Sequence, residues 1–421
     1  MKTKLILGGA LLASLLSSTA FAATDLMMWY HGAGNEVEKK IVEQLITDFN
    51  ASQADYVVKL EQFPQGAYND SVTAAAASGK LPDIIDVDGP VMPGWVWAGY
   101  MAPLTVDPAK YANFLPGAIG KYNDKVYAIG LWDAAVALVA RKSVLDENGV
   151  RIPTLDKPWT LEEFDAALVK IQGSGKFEFP LDLGMAWKGE WYPYAFGPFL
   201  QSAGGDMINR EGYKTAEGTL NGEAAVKFGN WWKSVFERKL APGTSQDPAD
   251  RDAGFLNGKY GISWNGNWAA LNAVEKYKED VLFLPAPDFG TGPKIGAASW
   301  QFGVSASSKN QEGANKFIEF ALQDKYLTAF SDGIGLIPPT PGSAAASKNY
   351  KEGGPMAAFY GLSAKQATLR PVYPGYAVAA KVFEKALSDI ANGAAVEDTL
   401  DAAADEITKD VEKNGGYAPK M

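Results

Sequence analysis

Hydrophobic and polar residues alternate along the chain with two periods, which predict strands and helices that follow one another. The apolar run "DLMMWY" at 25–30 predicts a strand. Apolar positions four residues apart, from Val37 to Phe49, then predict a helix that Asn35 caps and in which Glu38 completes a capping box. The chain therefore begins this pattern with a strand and an amphipathic helix.

The same alternation continues to the end of the chain. Further strands are predicted at 56–63, 82–87 and 260–264, and further helices at 69–79, from Thr160 onward, at 223–240, 310–325, 377–392 and 396–412. This order is typical of an α/β fold in which helical crossovers join parallel strands. The stretches at 285–296 and 333–343 are rich in Gly and Pro, which favours crossings between two lobes there.

The N-terminal residues have the pattern of a secretory signal peptide. Lys2 and Lys4 precede the apolar run 5–16, and small residues follow at Ala20 and Ala22. We expect cleavage after Ala22. A membrane anchor is the alternative, but the run is shorter than the ~20 residues that a spanning helix needs. The sequence predicts a periplasmic protein that does not itself span the membrane.

Composition removes several classes of function. The chain has 421 residues, a formal charge of −10 and no Cys, and His31 is its only histidine. The acidic balance argues against nucleic acid as a partner, because phosphates require a basic surface. Thiol chemistry and multi-histidine zinc sites are excluded, and no phosphate-loop or dinucleotide motif occurs. We therefore expect no metal and no cofactor.

Carboxylates keep one enzymatic alternative open. A glycoside hydrolase needs only two suitably placed carboxyl groups. Several acidic residues lie near strand ends or aromatic residues: Asp83, Asp86, Asp88, Asp133, Asp182 and Glu190. Solvated or hydrogen-bonded carboxylates are the commoner explanation, so a secreted hydrolase is the second hypothesis.

Aromatic residues in loops point to a carbohydrate ligand. The chain has 12 Trp, many of them beside Gly, Pro or Asn rather than at helical spacing. A flat aromatic ring can cover the apolar C–H face of a sugar, while carboxylates and amides bind its hydroxyl groups. The loop aromatics are Trp29, Tyr30, Trp132, Trp187, Trp191, Tyr192, Trp264, Trp268 and Trp300.

Ordered motifs along nearly the whole chain resemble one known family. The segments are "AAAASGKLPDIIDVDG", "GYMAPL", "DKVYAIGLWDAAVAL", "PWTLEEF", "FLNGKYGISWNGNW", "LPAPDFG", "GAASWQFGVSASSKN" and "RPVYPGYAVAAKVFEKALSDIANG". In this order they resemble the extracellular solute-binding proteins of ABC importers, in the sugar and oligosaccharide branch that includes maltose-binding protein. The resemblance implies no catalysis, a monomer, a carbohydrate ligand and a membrane permease as partner.

The resemblance also implies a fold and its domains. It implies a two-lobe periplasmic binding protein fold, type II-like, with a hinge and a ligand held in the cleft. The expected divisions are a signal peptide at 1–22, an N-terminal lobe at 23–133 plus 297–338, and a C-terminal lobe at 134–296 plus 339–421. Hinge closure around a ligand is the motion that such proteins use.

The same resemblance implies the ligand-binding residues. They are His31, Asp86, Asp88, Trp132, Asp133, Trp191, Tyr192, Tyr194, Trp264, Asn265, Gly266, Trp268, Trp300 and Arg370. We expect an Asn-Gly-Asn turn at 265–267 to present Trp268 as a stacking platform. "HGAG" stands in the first-strand loop where the maltose branch has charged residues, so a sugar other than maltose is expected. A receptor for an anionic sugar derivative remains an alternative, with Arg370 and Lys188 as its basic candidates.

Overall fold

The computed structural model describes residues 23–32, 35–297 and 300–418. The predicted signal peptide lies outside these described residues. The strands are β1 (Thr24–Tyr30), β2 (Tyr56–Gln62), β3 (Ile84–Asp88), β4 (Met101–Ala102), β5 (Ile119–Tyr122), β6 (Lys125–Ile129), β7 (Val136–Arg141), β8 (Phe179–Asp182), β9 (Tyr260–Gly266), β10 (Val281–Leu284), β11 (Ile295–Gly296), β12 (Trp300–Ser305) and β13 (Ala367–Thr368).

Helices separate most of these strands, as the alternation predicts. They are α1 (Glu36–Ser52), α2 (Gln65–Ala77), α3 (Met92–Trp97), α4 (Lys142–Glu147), α5 (Leu161–Gly173), α6 (Trp191–Ala195), α7 (Gly197–Ala203), α8 (Glu223–Glu237), α9 (Asp250–Leu256), α10 (Asn267–Tyr277), α11 (Gln311–Ala321), α12 (Asp324–Ile334), α13 (Pro341–Ala346), α14 (Ala357–Gln366), α15 (Tyr376–Ala391) and α16 (Val396–Lys413). The predicted α/β class is confirmed.

Two larger sheets organise the described residues, and β11 and β13 form a third, two-stranded sheet. The first has the strand order β2-β1-β3-β12-β6-β5, with β4 also paired to β12. In it, β1 runs parallel to β2 and β3, while β12 runs antiparallel to β3 and β6. The second sheet has the order β10-β7-β9-β8. Its strands all lie between β6 and β12 in the sequence, so β12 returns the chain to the first sheet.

Each sheet has its own hydrophobic core. The first core includes Leu26, Ile84 and Phe317, and the second includes Leu138 and Trp232, all with no exposed surface. Because burial of apolar side chains is the main stabilising term in folding, each sheet with its helices forms a packed unit. A ligand bound at the boundary between the two cores would contact residues of both units.

The connections between the two sheets run side by side. Asp133 and Ile337 form an antiparallel bridge in which each backbone N–H donates to the other's carbonyl, at 2.8 and 3.0 Å. Ala135 and Ala297 also face each other in an antiparallel bridge. The segments that leave and re-enter the first sheet are therefore neighbours. The exact lobe boundaries that the sequence predicts stay a prediction.

Two local predictions are wrong. The helix predicted at 310–325 is α11 and ends four residues earlier, at Ala321; α12 is a separate helix that begins at Asp324, because the backbone is extended at Gln323 with a ψ of 137°. The Asn-Gly-Asn turn is also absent: Asn265 and Gly266 end β9, and α10 begins at the next residue. Trp268 therefore sits in the first turn of a helix.

Candidate functional site

A cavity of about 530 Å³ lies where residues from both cores meet. Among its lining residues are the following sequence-predicted site residues: His31, Asp88, Trp132, Trp191, Tyr194, Trp268, Trp300 and Arg370. Such volumes and mostly apolar linings with a few polar groups are typical of small-molecule sites. The structure thus brings predicted residues that lie far apart in the sequence to one open cavity.

Trp268 lies at the junction of the two cores. Its side chain packs against both of them, and its ring makes a T-shaped contact with Trp191 at a centroid distance of 6.2 Å. Its indole Nε1–H is buried and has no hydrogen-bond partner. Because a buried donor without a partner is costly, a ligand acceptor at this atom would be stabilising.

Gly266 makes the position of the Trp268 ring possible. A Cβ on Gly266 would lie 2.2 Å from Cη2 and Cζ3 of the ring, well inside van der Waals contact. The backbone at Gly266 has φ −89° and ψ 164°, which any residue can adopt. The glycine is therefore required by the close approach of the ring rather than by the backbone.

Gly266→Ala should move the Trp268 ring and weaken ligand binding with a smaller effect on stability. The added methyl group occupies space that the ring now fills, so the ring must shift within the cavity. Binding is measured by isothermal calorimetry. Gly243→Ala is the matched control, since nothing lies within 4 Å of its added Cβ. Equal affinities of the two variants would contradict this assignment.

His31 and Trp300 form a stacked pair in the cavity wall. Their ring centroids are 3.8 Å apart and their planes differ by 7°. Trp300 begins β12 opposite Asp88 of β3, which fixes the indole at the edge of the first sheet. Trp132 lies nearby, with its ring centroid 6.5 Å from that of His31. Indole and imidazole rings therefore line the side of the cavity that the first sheet provides.

Acidic groups surround the buried His31 ring. Nδ1 of His31 contacts a carboxylate oxygen of Asp86, and Nε2 lies 3.9 Å from Oε1 of Glu38. Glu38 also accepts a hydrogen bond from the Tyr30 hydroxyl and one of 3.0 Å from Nδ2 of Asn35. Burial opposes protonation of the imidazole, but the two carboxylates outweigh it and raise the pKa of His31 above its ordinary 6.5.

The stability of the fold should therefore depend on the protonation of His31. Because the folded chain holds this proton more tightly than the unfolded chain, the stabilisation is present below about pH 6.5 and is lost as the pH rises through the folded-state pKa. The ring is observable by NMR without overlap, since the chain has one histidine. We expect Asp86→Asn to lower its pKa; an unchanged titration would contradict the pairing.

Arg370 joins two carboxylates that come from opposite sides of the cavity. Its Nη2 donates to Oδ1 of Asp88 at 3.3 Å, and its Nη1 donates to Glu190. The Tyr376 hydroxyl also donates to Glu190. The guanidinium is 6% exposed and lies over the ring of Tyr194, 5.0 Å from its centroid. Asp88 ends a strand of the first sheet, whereas Glu190 precedes α6, so the ion pairs connect the two sides.

Burial shifts the pKa of both carboxylates that pair with Arg370. It raises the pKa of Asp88 above its ordinary value, although Arg370 opposes the shift. It raises the pKa of Glu190 to about 7, again against the effect of Arg370. The side chain of Asp88 is 12% exposed and that of Glu190 is 37% exposed, so the pairing with Arg370 matters most for the more buried carboxylate of Asp88.

The other predicted site residues lie outside the cavity lining. Asp86 has no exposed surface and lies behind His31, and Asp133 belongs to the connection between the sheets. Trp264 is 1% exposed and donates its indole N–H to the carbonyl of Ala195 at 3.1 Å. Tyr192 is buried in the second core, and Asn265 and Gly266 are buried in β9. These side chains support the cavity rather than face it.

Sequence reasoning missed several lining residues. Glu38 was predicted only as a helix-capping residue, yet its carboxylate faces Tyr30 and His31. Trp187 and Glu190 were recognised as an aromatic and an acidic residue but were not placed in the site. Gln65 and Asn272 lie on helices and also line the cavity. Nothing in their local sequence distinguishes them from surface residues, because only the tertiary fold brings them to the cavity.

Within residues 23–32, 35–297 and 300–418, no group of three or more His, Cys, Asp or Glu is arranged to hold a metal ion. In the same ranges, no helix combines the length and apolar character needed to cross a bilayer.

Comparison with known families identifies the class. Residues 44–358 match the model of the bacterial extracellular solute-binding proteins. The match covers most of the chain, and the chain therefore belongs to this family. The predicted recognition is confirmed, and the proteins of this family bind solutes.

Curated relatives and solved structures agree with this assignment. The mannitol-binding protein of Pseudomonas aeruginosa is 25% identical over 407 residues, which are 89% of this chain and 91% of that protein. The multiple sugar-binding protein of Streptococcus mutans is 23% identical over 74% of this chain and 73% of its own length. An uncharacterised lipoprotein of Streptomyces antibioticus is 24% identical over 70% of this chain, and the alignment spans 66% of that relative.

The fold resembles solved sugar receptors. The cyclic alpha-maltosyl-1,6-maltose binding protein from Arthrobacter globiformis superposes with a TM-score of 0.77 at 19% identity, over 93% of this chain and 100% of that one. The GacH receptor of Streptomyces glaucescens gives a TM-score of 0.74 at 23% identity, over 93% and 98%. The predicted two-lobe periplasmic binding protein fold is thus confirmed.

Proposed function

We propose that this chain is the periplasmic substrate-binding component of an ABC importer and that it binds a sugar or small glycoside in the cavity between its two cores. The observation that carries the proposal is a single cavity lined by Trp268, which packs against both cores, and by the stacked pair of Trp300 and His31. Aromatic faces bury the C–H surface of a sugar, and the carboxylates beside them accept hydrogen bonds from its hydroxyl groups.

Binding is expected to favour the closed arrangement of the two lobes. A ligand held between Trp268 and Trp300 contacts both sides, so it stabilises the closed form in proportion to its differential affinity for that form. A membrane permease would then recognise the closed surface and receive the sugar. The predicted signal peptide, lobe boundaries and monomeric state belong to the same proposal.

The cavity is better suited to binding than to hydrolysis or to an anion. Asp88 and Glu190 are both engaged by Arg370, whereas a hydrolase needs one carboxyl free to donate a proton and one free to act as base or nucleophile. The same carboxylates would repel a phosphate or sulfonate near the guanidinium. We therefore propose that the ligand leaves the protein chemically unchanged.

A thermal-shift screen tests this function. The panel contains mono-, di- and oligosaccharides, sugar alcohols, sugar phosphates and sulfonates. A ligand at 100 times its dissociation constant should add about 2.7 kcal/mol to the free energy of unfolding. At least one neutral sugar or polyol should give such a shift and be recovered intact. Stabilisation by the anionic compounds alone, or cleavage of a glycoside, would contradict the proposal.

A further inference from the structure

A second cavity, of about 330 Å³, lies beside the proposed sugar site. Arg370 lines both cavities. The second one is also lined by residues that follow β3 at 89–92, by residues 114–121, and by residues 369–372 after β13. Residues 89–92 and 114–121 lie on the side of the first sheet. Residues 369–372 lead to Tyr373, which belongs to the second core. This cavity is therefore a second place where both sides of the molecule meet.

The walls of this cavity are mostly apolar. Met92, Phe114, Ile119 and Val372 contribute hydrophobic surface to it. Apolar walls that enclose a volume of this size favour the apolar body of a small molecule, because burial removes its surface from water. The walls alone do not define the polar group of such a molecule.

Two buried polar atoms of the lining have no partner. Gln301 is 2% exposed; its Nε2 donates to the carbonyl of Gly117 at 2.9 Å, while its Oε1 accepts nothing. Arg370 is 6% exposed, and its Nε–H is unpaired even though both terminal nitrogens hold carboxylates. One acceptor and one donor are thus left unsatisfied among the lining side chains, and such atoms are normally paired in native proteins.

The backbone beside Gln301 leaves room for its free oxygen. A Cβ on Gly120 would lie 2.4 Å from Oε1, so a larger residue there would displace the amide. Gly117, whose carbonyl holds the other end of the amide, is also a glycine, and a Cβ on it would lie 2.5 Å from the Asp133 carboxylate. Gly120 therefore permits the orientation in which the amide oxygen stays unpaired.

We propose that this second cavity is a binding site for a small alcohol with an apolar body, distinct from the sugar site. The apolar walls hold the carbon skeleton. A hydroxyl group suits either unpaired atom, because it can donate to Oε1 of Gln301 or accept from Nε–H of Arg370. A hydrocarbon of the same shape lacks both interactions and binds more weakly.

Cyclohexanol is the probe for this proposal. Its binding to the full chain is followed by saturation-transfer NMR, with methylcyclohexane as the matched compound without a hydroxyl. We expect cyclohexanol to bind at least tenfold more tightly than methylcyclohexane. Absence of cyclohexanol binding would overturn the proposal and leave water as the occupant of the cavity.

Two variants locate the binding. Val372→Phe fills the cavity and should reduce the affinity for cyclohexanol at least tenfold. Val169→Phe is the control: it adds the same ring on α5, at a position that is 47% exposed, and should leave the affinity unchanged. Gln301→Met removes the unpaired acceptor and should remove the advantage of cyclohexanol over methylcyclohexane. Each variant is first shown to unfold cooperatively. Equal binding of cyclohexanol by Val372→Phe and Val169→Phe would overturn the proposal.

Discussion

Replacing Trp268 with alanine should weaken binding of the sugar by about 1–3 kcal/mol, which is a loss of affinity of roughly 5-fold to 150-fold. The indole packs against both cores and lines the cavity, so its removal takes away a contact surface shared by the two sides. Its unpaired Nε1–H would be lost as a donor to a ligand oxygen as well.

Isothermal calorimetry with the best sugar of the thermal-shift screen measures this effect. Trp97→Ala is the control, because Trp97 lies on α3 and takes no part in lining the cavity; its indole donates to the carbonyl of Ala418 at 2.9 Å. The control should bind within twofold of the parent chain. A Trp268→Ala variant that binds as tightly as the control would remove Trp268 from the ligand site.

Arg370→Met should lower the free energy of unfolding at neutral pH by more than an exposed ion pair contributes, but by less than the about 3–5 kcal/mol of a fully buried pair, because the Glu190 side chain is 37% exposed. The substitution keeps most of the side-chain volume but leaves the carboxylates of Asp88 and Glu190 without their cation. Since both groups can take up a proton, the loss should be smaller at pH 4 than at pH 7. Sugar affinity should fall too, because these groups line the cavity.

Chemical denaturation at both pH values provides the measurement. Arg238→Met is the matched control: its guanidinium is 40% exposed and pairs with Asp165, and exposed pairs of this kind contribute about 0–1 kcal/mol. The loss of unfolding free energy in Arg370→Met should exceed the loss in Arg238→Met and should depend on pH. If either expectation fails, the ion pairs of Arg370 do not stabilise the fold.

The sequence predicts the fold well where local signals are strong. The capping box at Thr160 is present as predicted, and α5 begins directly after it. The alternation of strands and helices likewise predicts the parallel pairing of β1 with β2 and β3. The break between α11 and α12 was missed because the apolar periodicity continues across Gln323 while the backbone does not. Periodicity reports which side chains are buried, not where a helix ends.

The composition of the site was predictable, but the direction of individual side chains was not. Asp86 and Asp88 occupy the same face of β3, two residues apart, yet His31 covers the first and leaves the second at the cavity. Trp264 and Trp268 are four residues apart, but one lies in β9 and points into the second core, while the other begins α10. These differences arise from contacts between distant segments, which no local pattern contains.

A crystal structure of the chain with the sugar that gives the largest thermal shift tests whether the sugar binds between the two cores. We expect one or more sugar rings in the cavity of about 530 Å³, with a ring face against Trp268 or Trp300 and hydroxyl groups near Asp88 or Glu190. Sugar bound on the outer surface of one lobe, with the cavity empty, would contradict this expectation.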